Sequence, residues 1–310
     1  MLLNILEMAV IVFVTSEQHP YTHRELAREK DVEFRLATYS DMFKFEYLPR
    51  AAYIFSDMDR LSAEQLAQAA KSYRMLRKNG LPAYNDPARF LGRYGLLRRL
   101  HEQGINQFNV YRADSFEAPR RWPVFVRTEG NHLRPLSALI GDQSELDRTV
   151  ADLVTEGVPL STLLIVEYSA EEVRPGLYRK LSVFRVAARM IGYTCVHDDQ
   201  WIVKYGKPGI APLELYDEEY RLVVENPYGE EMRAIFDLGG IDYGRVDFGL
   251  VGGRPQIYEI NSNPDVKLYP KSNGIEQRDR SNDVFRDNYL AALKAIDFAA
   301  TAAPEASATA

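Results

Sequence analysis

Short apolar runs separated by polar, helix-forming stretches dominate the first hundred positions of the chain. Positions 9–14, 32–37 and 51–55 carry strand signals, and the first of them reads as a buried strand. Between and after them come a polar helical stretch at 21–30 and a longer helix over 62–78. That alternation predicts parallel βαβ units. Asn79-Gly80 closes the longer helix, because glycine supplies the left-handed backbone that follows a helix end. Leu81-Pro82-Ala83-Tyr84 then reads as a short strand, and Asn85-Asp86-Pro87 opens a helix over 87–103, with proline at its first position.

Farther along, Trp122-Pro123-Val124-Phe125-Val126-Arg127 is a strand that ends in a cation, and Glu129-Gly130-Asn131-His132 follows it. Leu163-Leu164-Ile165-Val166-Glu167-Tyr168 predicts another buried strand. Positions 178–187 alternate weakly and the pattern returns at 189–193, as two antiparallel strands do. A last helix covers 284–298, and the small, polar residues 301–310 form a disordered tail. The chain shows no internal repeat.

The chemistry concentrates in Arg245-Val246-Asp247-Phe248, the Gly252-Gly253 break, and Tyr258-Glu259-Ile260-Asn261-Ser262-Asn263-Pro264. Acids among strand-forming residues need compensation, since burying an ionised carboxylate costs several kcal/mol. Three hard oxygen donors so close together suggest Mg²⁺ with a phosphate ligand. Side chains alternate along a strand, so Glu259 and Asn261 share a face while Tyr258 and Ile260 take the other. Asp247 joins Glu259 when the turn is a three-residue loop, Gly252-Gly253-Arg254. A two-residue Gly252-Gly253 turn instead pairs Asp247 with Tyr258, unless a bulge shifts the register. The competing reading is an exposed hairpin with solvated acids.

Composition narrows the class. The 310 residues are 46% apolar with a net charge of −6, which suits a globular enzyme of two or three lobes. No block of Lys and Arg provides the footprint of a nucleic-acid surface. Cys195 stands alone, which excludes intramolecular disulfides and Cys-rich zinc sites and points to a reducing, cytoplasmic setting. The apolar start, 1–14, is interrupted by Asn4 and Glu7 and is too short to span a bilayer; Met8 is an alternative first residue. His19, His23, His101, His132 and His197 show no metal spacing. Asp57 and Asp59, after the third strand, read as solvated turn acids.

The R-x-D-F and E-I-N-x-x-P pair, carried by Arg245, Asp247, Glu259, Asn261 and Pro264, resembles the ATP-grasp carboxylate-amine ligases. The resemblance implies an α/β and α+β fold: a Rossmann-like pre-grasp lobe at 1–86, grasp subdomains at 87–170 and 171–298, and a tail at 299–310. It implies ATP and two Mg²⁺ ions, with Mn²⁺ as the alternative. Asp247 and Glu259 would hold one ion, Glu259 and Asn261 the second, and Arg245 would face the reacting phosphate and carbonyl oxygens. Arg93 and Arg127 stand where the family has phosphate-binding lysines, and both keep the charge. Gly130 is the lone glycine of a phosphate loop usually richer in them. Glu167 and Tyr168 fall on the adenine hinge, and Glu171 or Glu172 would meet the ribose. Lys204 matches a lysine that reaches the terminal phosphate.

The segment after Pro264 lacks the glycine and serine that D-alanine:D-alanine ligases carry there, which argues against D-alanine, while Lys267 and Lys271 either meet an acidic substrate or border a loop. The implied partners are a small-molecule carboxylate and an amine, without nucleic acid or membrane; a homodimer is allowed. The implied reaction forms an amide through an acyl phosphate, releasing ADP and phosphate. A small-molecule kinase and a non-catalytic ATP-binding module are the alternatives.

Overall fold

Parallel pairing of the early apolar runs builds the first lobe. The computed structural model describes residues 10–44, 48–115, 117–130, 134–270 and 274–296. The expectations for 1–9, Asn131, His132, Lys271 and 297–310 lie outside the described residues. The first lobe contains β1 (Ile11–Thr15), β2 (Phe34–Thr38), α1 (Tyr39–Lys44), β3 (Ala52–Phe55), α2 (Ala63–Lys78) and β4 (Ala83–Tyr84). The strands form one parallel sheet in the order β2-β1-β3-β4, with Ile11 opposite both Phe34 and Ala52. A reciprocal capping box starts α2: Ser62 Oγ accepts from the Gln65 N–H and Gln65 Oε1 from the Ser62 N–H. Gly80, at φ +72°, ends it as expected.

Two expected helices differ. Positions 21–30 were expected to form a helix; instead Pro20–Arg28 is a 3₁₀ run without a side-chain cap. Its Glu25 carboxylate accepts from the Leu268 and Tyr269 N–H groups, so tertiary anchoring rather than helical propensity sets its course. The expected helix over 87–103 is split into a 3₁₀ turn, Pro87–Arg89, capped by Asp86, and α3 (Gly92–Glu102). Gly92 takes φ +66° at the break, which interrupts the helical path. Asn85 joins this region to the third sheet. Its amide donates to the carbonyls of Phe55 and Tyr243 and accepts from the N–H groups of Asp242 and Tyr243.

The second sheet holds β5 (Val110–Arg112), β6 (Val124–Thr128) and β7 (Leu163–Glu167), antiparallel in the order β5-β7-β6. α4 (Gln143–Thr155) covers it with Leu146 and Leu153, which pack with Tyr111, Val124 and Ile165. The third sheet runs β10-β9-β11-β12 with β8 against β9, all antiparallel. Its strands are β8 (Glu172–Arg174), β9 (Leu177–Val186), β10 (Arg189–Asp198), β11 (Tyr243–Val251) and β12 (Arg254–Asn261). α5 (Leu213–Glu225), α6 (Gly229–Gly239) and α7 (Glu276–Lys294) complete the lobe. Among the described residues no helix is long and apolar enough to cross a membrane.

Two histidines are built into this interior as neutral imidazoles. His23 stacks on Phe13 with ring centroids 3.9 Å apart, and its Nε2 lies 2.9 Å from Tyr243 Oη. Burial pushes its pKa down to about 3, and burial with Arg278 and Arg179 pushes His197 down to about 4. Below the unfolded value of ~6.5 the unfolded chain therefore binds more protons than the native one, so stability falls as pH falls. Between pH 7 and pH 5.5 the loss is expected to be about 1 kcal/mol per imidazole. Urea midpoints at the two pH values check this, and His23→Gln should flatten the dependence. A pH-independent midpoint would contradict it.

Candidate functional site

A bulge decides which residues meet in the β11–β12 hairpin. Gly252 and Gly253, at φ +56° and +74°, form a two-residue turn between the paired Val251 and Arg254. The expected three-residue loop is therefore corrected: the glycines satisfy the positive φ of a tight turn without a third residue. Phe248 pairs with Ile257, but Asp247 pairs with Glu259, so Tyr258 is the extra residue. The shift restores Asp247 opposite Glu259 and sets Arg245 opposite Asn261. Tyr258 still packs against the core with Ile260, as expected, and also borders the site. Its ring lies over Gly249, where a Cβ would come within 2.2 Å of Oη, and its hydroxyl donates to the Ser169 carbonyl.

Asp247 is 1% exposed and surrounded by donors. Arg245 Nε and Nη2 approach it at 2.7 and 3.0 Å, Lys180 Nζ at 3.0 Å and Ser182 Oγ at 2.9 Å. Burial alone pushes the carboxyl up, but Arg245 and Lys180 outweigh it and hold it below the usual range. Glu259 pairs with Arg93, whose Nη1 also donates to the Glu129 carbonyl at 2.9 Å. Burial, then Arg93, pushes the Arg127 guanidinium down to about 10, so it stays charged at neutral pH.

These groups face a cavity of about 820 Å³, within the range of small-molecule sites. Arg127, Glu167, Tyr168, Lys204, Arg245, Asp247, Glu259 and Asn261 all line it. Phe108, Phe125, Trp201 and Tyr258 add an aromatic wall, with Trp201 4.9 Å from Phe125 and 5.6 Å from Tyr168 by centroid. Arg93, Gly130 and Glu171 do not line this cavity. Arg93 reaches the site through Glu259. At Gly130 an added Cβ would meet the Asp59 carbonyl at 3.0 Å, so the loop backbone runs close to the first lobe. Glu171 accepts from the Gly252 N–H at the hairpin turn, and Glu172 from the Gly176 N–H and Tyr178 hydroxyl.

Glu167 supplies structure at the cavity edge. Its carboxylate accepts from the N–H groups of Asn109, Arg120 and Arg121 and from Tyr111 Oη, pinning the approach to β6 against β7. Asp57 is no solvated turn acid. It is 2% exposed, sits at φ +59°, and meets Ser16, Arg60 and His19. Sequence reasoning missed Ser182 and Arg278. Ser182 pairs directly with Asp247 across β9 and β11, so strand alternation was the available signal. Arg278 lines the cavity while donating to Glu219 and to the Cys195 carbonyl.

Asp247, Glu259 and Asn261 offer only hard oxygens, two of them carboxylates that face each other across one strand pair, which is the donor chemistry Mg²⁺ takes. The structure also groups Cys195, His197 and Glu218, with ligand atoms within 4.8 Å, although the sequence shows no such spacing. There Glu218 is engaged by Arg179 at 2.6 and 2.8 Å, and burial pushes the Cys195 thiol well up. That group is a packed core pair beside an ion pair.

Neither a family model nor a curated protein sequence matches the chain. Solved structures do. A D-alanine–D-alanine ligase from Bacillus anthracis, complexed with ATP, matches at TM-score 0.51 and 12% identity, covering 93% of this chain and 99% of that one. An L-amino acid ligase from Bacillus licheniformis matches at TM-score 0.43 and 12% identity over 82% of this chain and 67% of its own. A RimK domain ATP-grasp protein from Sphaerobacter thermophilus gives 0.44 and 15% over 90% and 99%. At such identities the likeness concerns architecture, and the first of them covers both chains nearly end to end. With two antiparallel sheets contributing to one cavity and a parallel-sheet lobe beside them, the chain has the ATP-grasp fold.

Proposed function

We propose that this chain is an ATP-dependent carboxylate-amine ligase that forms an amide through an acyl phosphate. One observation carries the reading: Asp247 and Glu259 stand directly opposite each other in a wall that also presents Arg127, Lys180, Lys204 and Arg245. A lone anion would not need the acids, and a lone cation would be repelled by the bases. A triphosphate with its divalent ion suits both. The D-alanine–D-alanine ligase that shares this fold was crystallised with ATP.

In this reading the purine packs against Phe125, Tyr168 and Trp201, and the phosphates meet Arg127 and Lys204. A substrate carboxylate oxygen bonds to the γ-phosphorus as the bond to the ADP oxygen breaks, and that electron pair leaves with ADP. The amine nitrogen then bonds to the carbonyl carbon, the carbon–oxygen bond to phosphate breaks, and the amine proton passes to solvent. Arg245 uses Nε and Nη2 on Asp247, which leaves Nη1 to donate to the carbonyl oxygen as its charge grows. Mg²⁺ held by Glu259 and Asn261 would supply the neutralisation that lets a carboxylate approach a triphosphate. Lys267 lines the same cavity beside Asp265, and D-alanine is not the expected acid.

Release of ADP from ATP, screened over carboxylic acids with and without amines, tests the proposal. Turnover that needs both an acid and an amine is expected. A stable phosphate ester formed without an amine would instead identify a kinase, and ATP binding without turnover across the panel would identify a binding module.

A further inference from the structure

Asp247 has its acceptor capacity filled by the protein itself. An ionised carboxylate offers about four lone-pair sites, and four donors occupy them. Ser182 Oγ and Arg245 Nε reach Oδ1 at 2.9 and 2.7 Å; Lys180 Nζ and Arg245 Nη2 both reach Oδ2 at 3.0 Å. Two positive charges therefore face one negative charge at a site that is 1% exposed. Lys180 is not a roaming side chain. β9 places it two residues from Ser182, on the face that meets Asp247, and its ammonium also donates to the Lys204 carbonyl at 3.1 Å.

We propose that Lys180 takes the place of one divalent cation, so that the chain binds a single such ion with its nucleotide, held by Glu259 and Asn261. The inference rests on the nucleotide site proposed above and revises the two-ion expectation drawn from the resemblance. Mg²⁺ requires oxygen at about 2.0–2.1 Å in near-octahedral order. It cannot take Asp247 without expelling Lys180 or an arm of Arg245, and it would arrive beside both cations. At Glu259, Arg93 approaches from α3 and is anchored behind it by the Glu129 carbonyl. A covalently attached ammonium supplies charge without dissociating, so nucleotide binding should depend on the first power of free divalent ion.

Counting Mn²⁺ by electron paramagnetic resonance, on the full chain saturated with β,γ-imido-ATP, tests this. One protein-bound Mn²⁺ per nucleotide is expected for the wild type and for Lys180→Arg, and two for Lys180→Met or Lys180→Gln. Glu259→Gln should weaken the single ion at least tenfold. Two ions on the wild type would overturn the inference while leaving the nucleotide site standing, as would a count of one on both neutral Lys180 variants with nucleotide bound. Failure of the wild type to bind the nucleotide at any Mn²⁺ concentration would overturn the proposed function, and the inference with it.

Discussion

Glu259→Gln is expected to lower ATP-dependent ADP release by at least about a hundredfold, roughly 2.7 kcal/mol of transition-state stabilisation. The amide is the same shape and still offers Arg93 an acceptor, so the hairpin and its bulge should persist. What goes is the charge. Without it Arg93 and Arg127 lose the carboxylate that offsets their charge, and the anionic oxygen that would share a divalent ion with Asn261 becomes a neutral amide oxygen. A coupled ADP assay on the best acid and amine pair measures the rate, and the thermal midpoint reports the fold. A variant that folds and keeps more than a tenth of the wild-type rate would remove Glu259 from the chemistry.

The largest expected stability effect lies away from the site, at Gly192→Ala. A Cβ there would stand 2.1 Å from the Leu222 carbonyl oxygen, 2.9 Å from its carbon and 3.0 Å from Val223 Cα. All three belong to the backbone of α5, which cannot swing aside as a side chain can. The helix must lift from β10, and Leu222 and Val223, each 2% exposed, must move with it. Overpacking and lost burial together should cost about 3–5 kcal/mol. Urea unfolding checks it against Gly141→Ala, where the nearest atom is 3.9 Å away and less than about 1 kcal/mol is expected. Equal midpoints would show that the sheet and α5 are looser than this packing implies.

The contrast between what was and was not legible follows distance along the chain. β1 and β3 could be read because a buried parallel strand is apolar throughout, whatever its partners. The helix at 62–78 carried its own caps. α4 went unplaced, although Asp142, whose side chain accepts from the Glu145 N–H, was a local start signal. The pairing of Asp247 with Glu259 is legible in the strand alternation, but it forms through a two-residue turn and a bulge rather than the expected three-residue loop. Two glycines specify a tight turn locally, whereas nothing local marks Tyr258 as the extra residue. Its trace is Gly249, whose lack of a side chain leaves room for the tyrosine ring.

Buried acids were the harder case. Asp57 read as a solvated turn because its partner Ser16 lies 41 positions earlier. Glu167 fell on the hinge strand, yet the donors that claim its carboxylate stand 46 to 58 positions away. Lys180 alternates in β9 like any strand cation, and only the sheet order puts β9 beside β11. In each instance residue type announced that something must compensate the charge, and the fold alone named the partner.

Central to the proposed function is one cavity in which facing carboxylates and a ring of cations together accept a metal-bound triphosphate. Calorimetric titration of the full chain with β,γ-imido-ATP, with and without Mg²⁺, addresses that directly. One nucleotide per chain, bound at least tenfold more tightly with Mg²⁺, is the expected result, with the enhancement lost in Glu259→Gln. Binding that is absent, or indifferent to the ion, would contradict it.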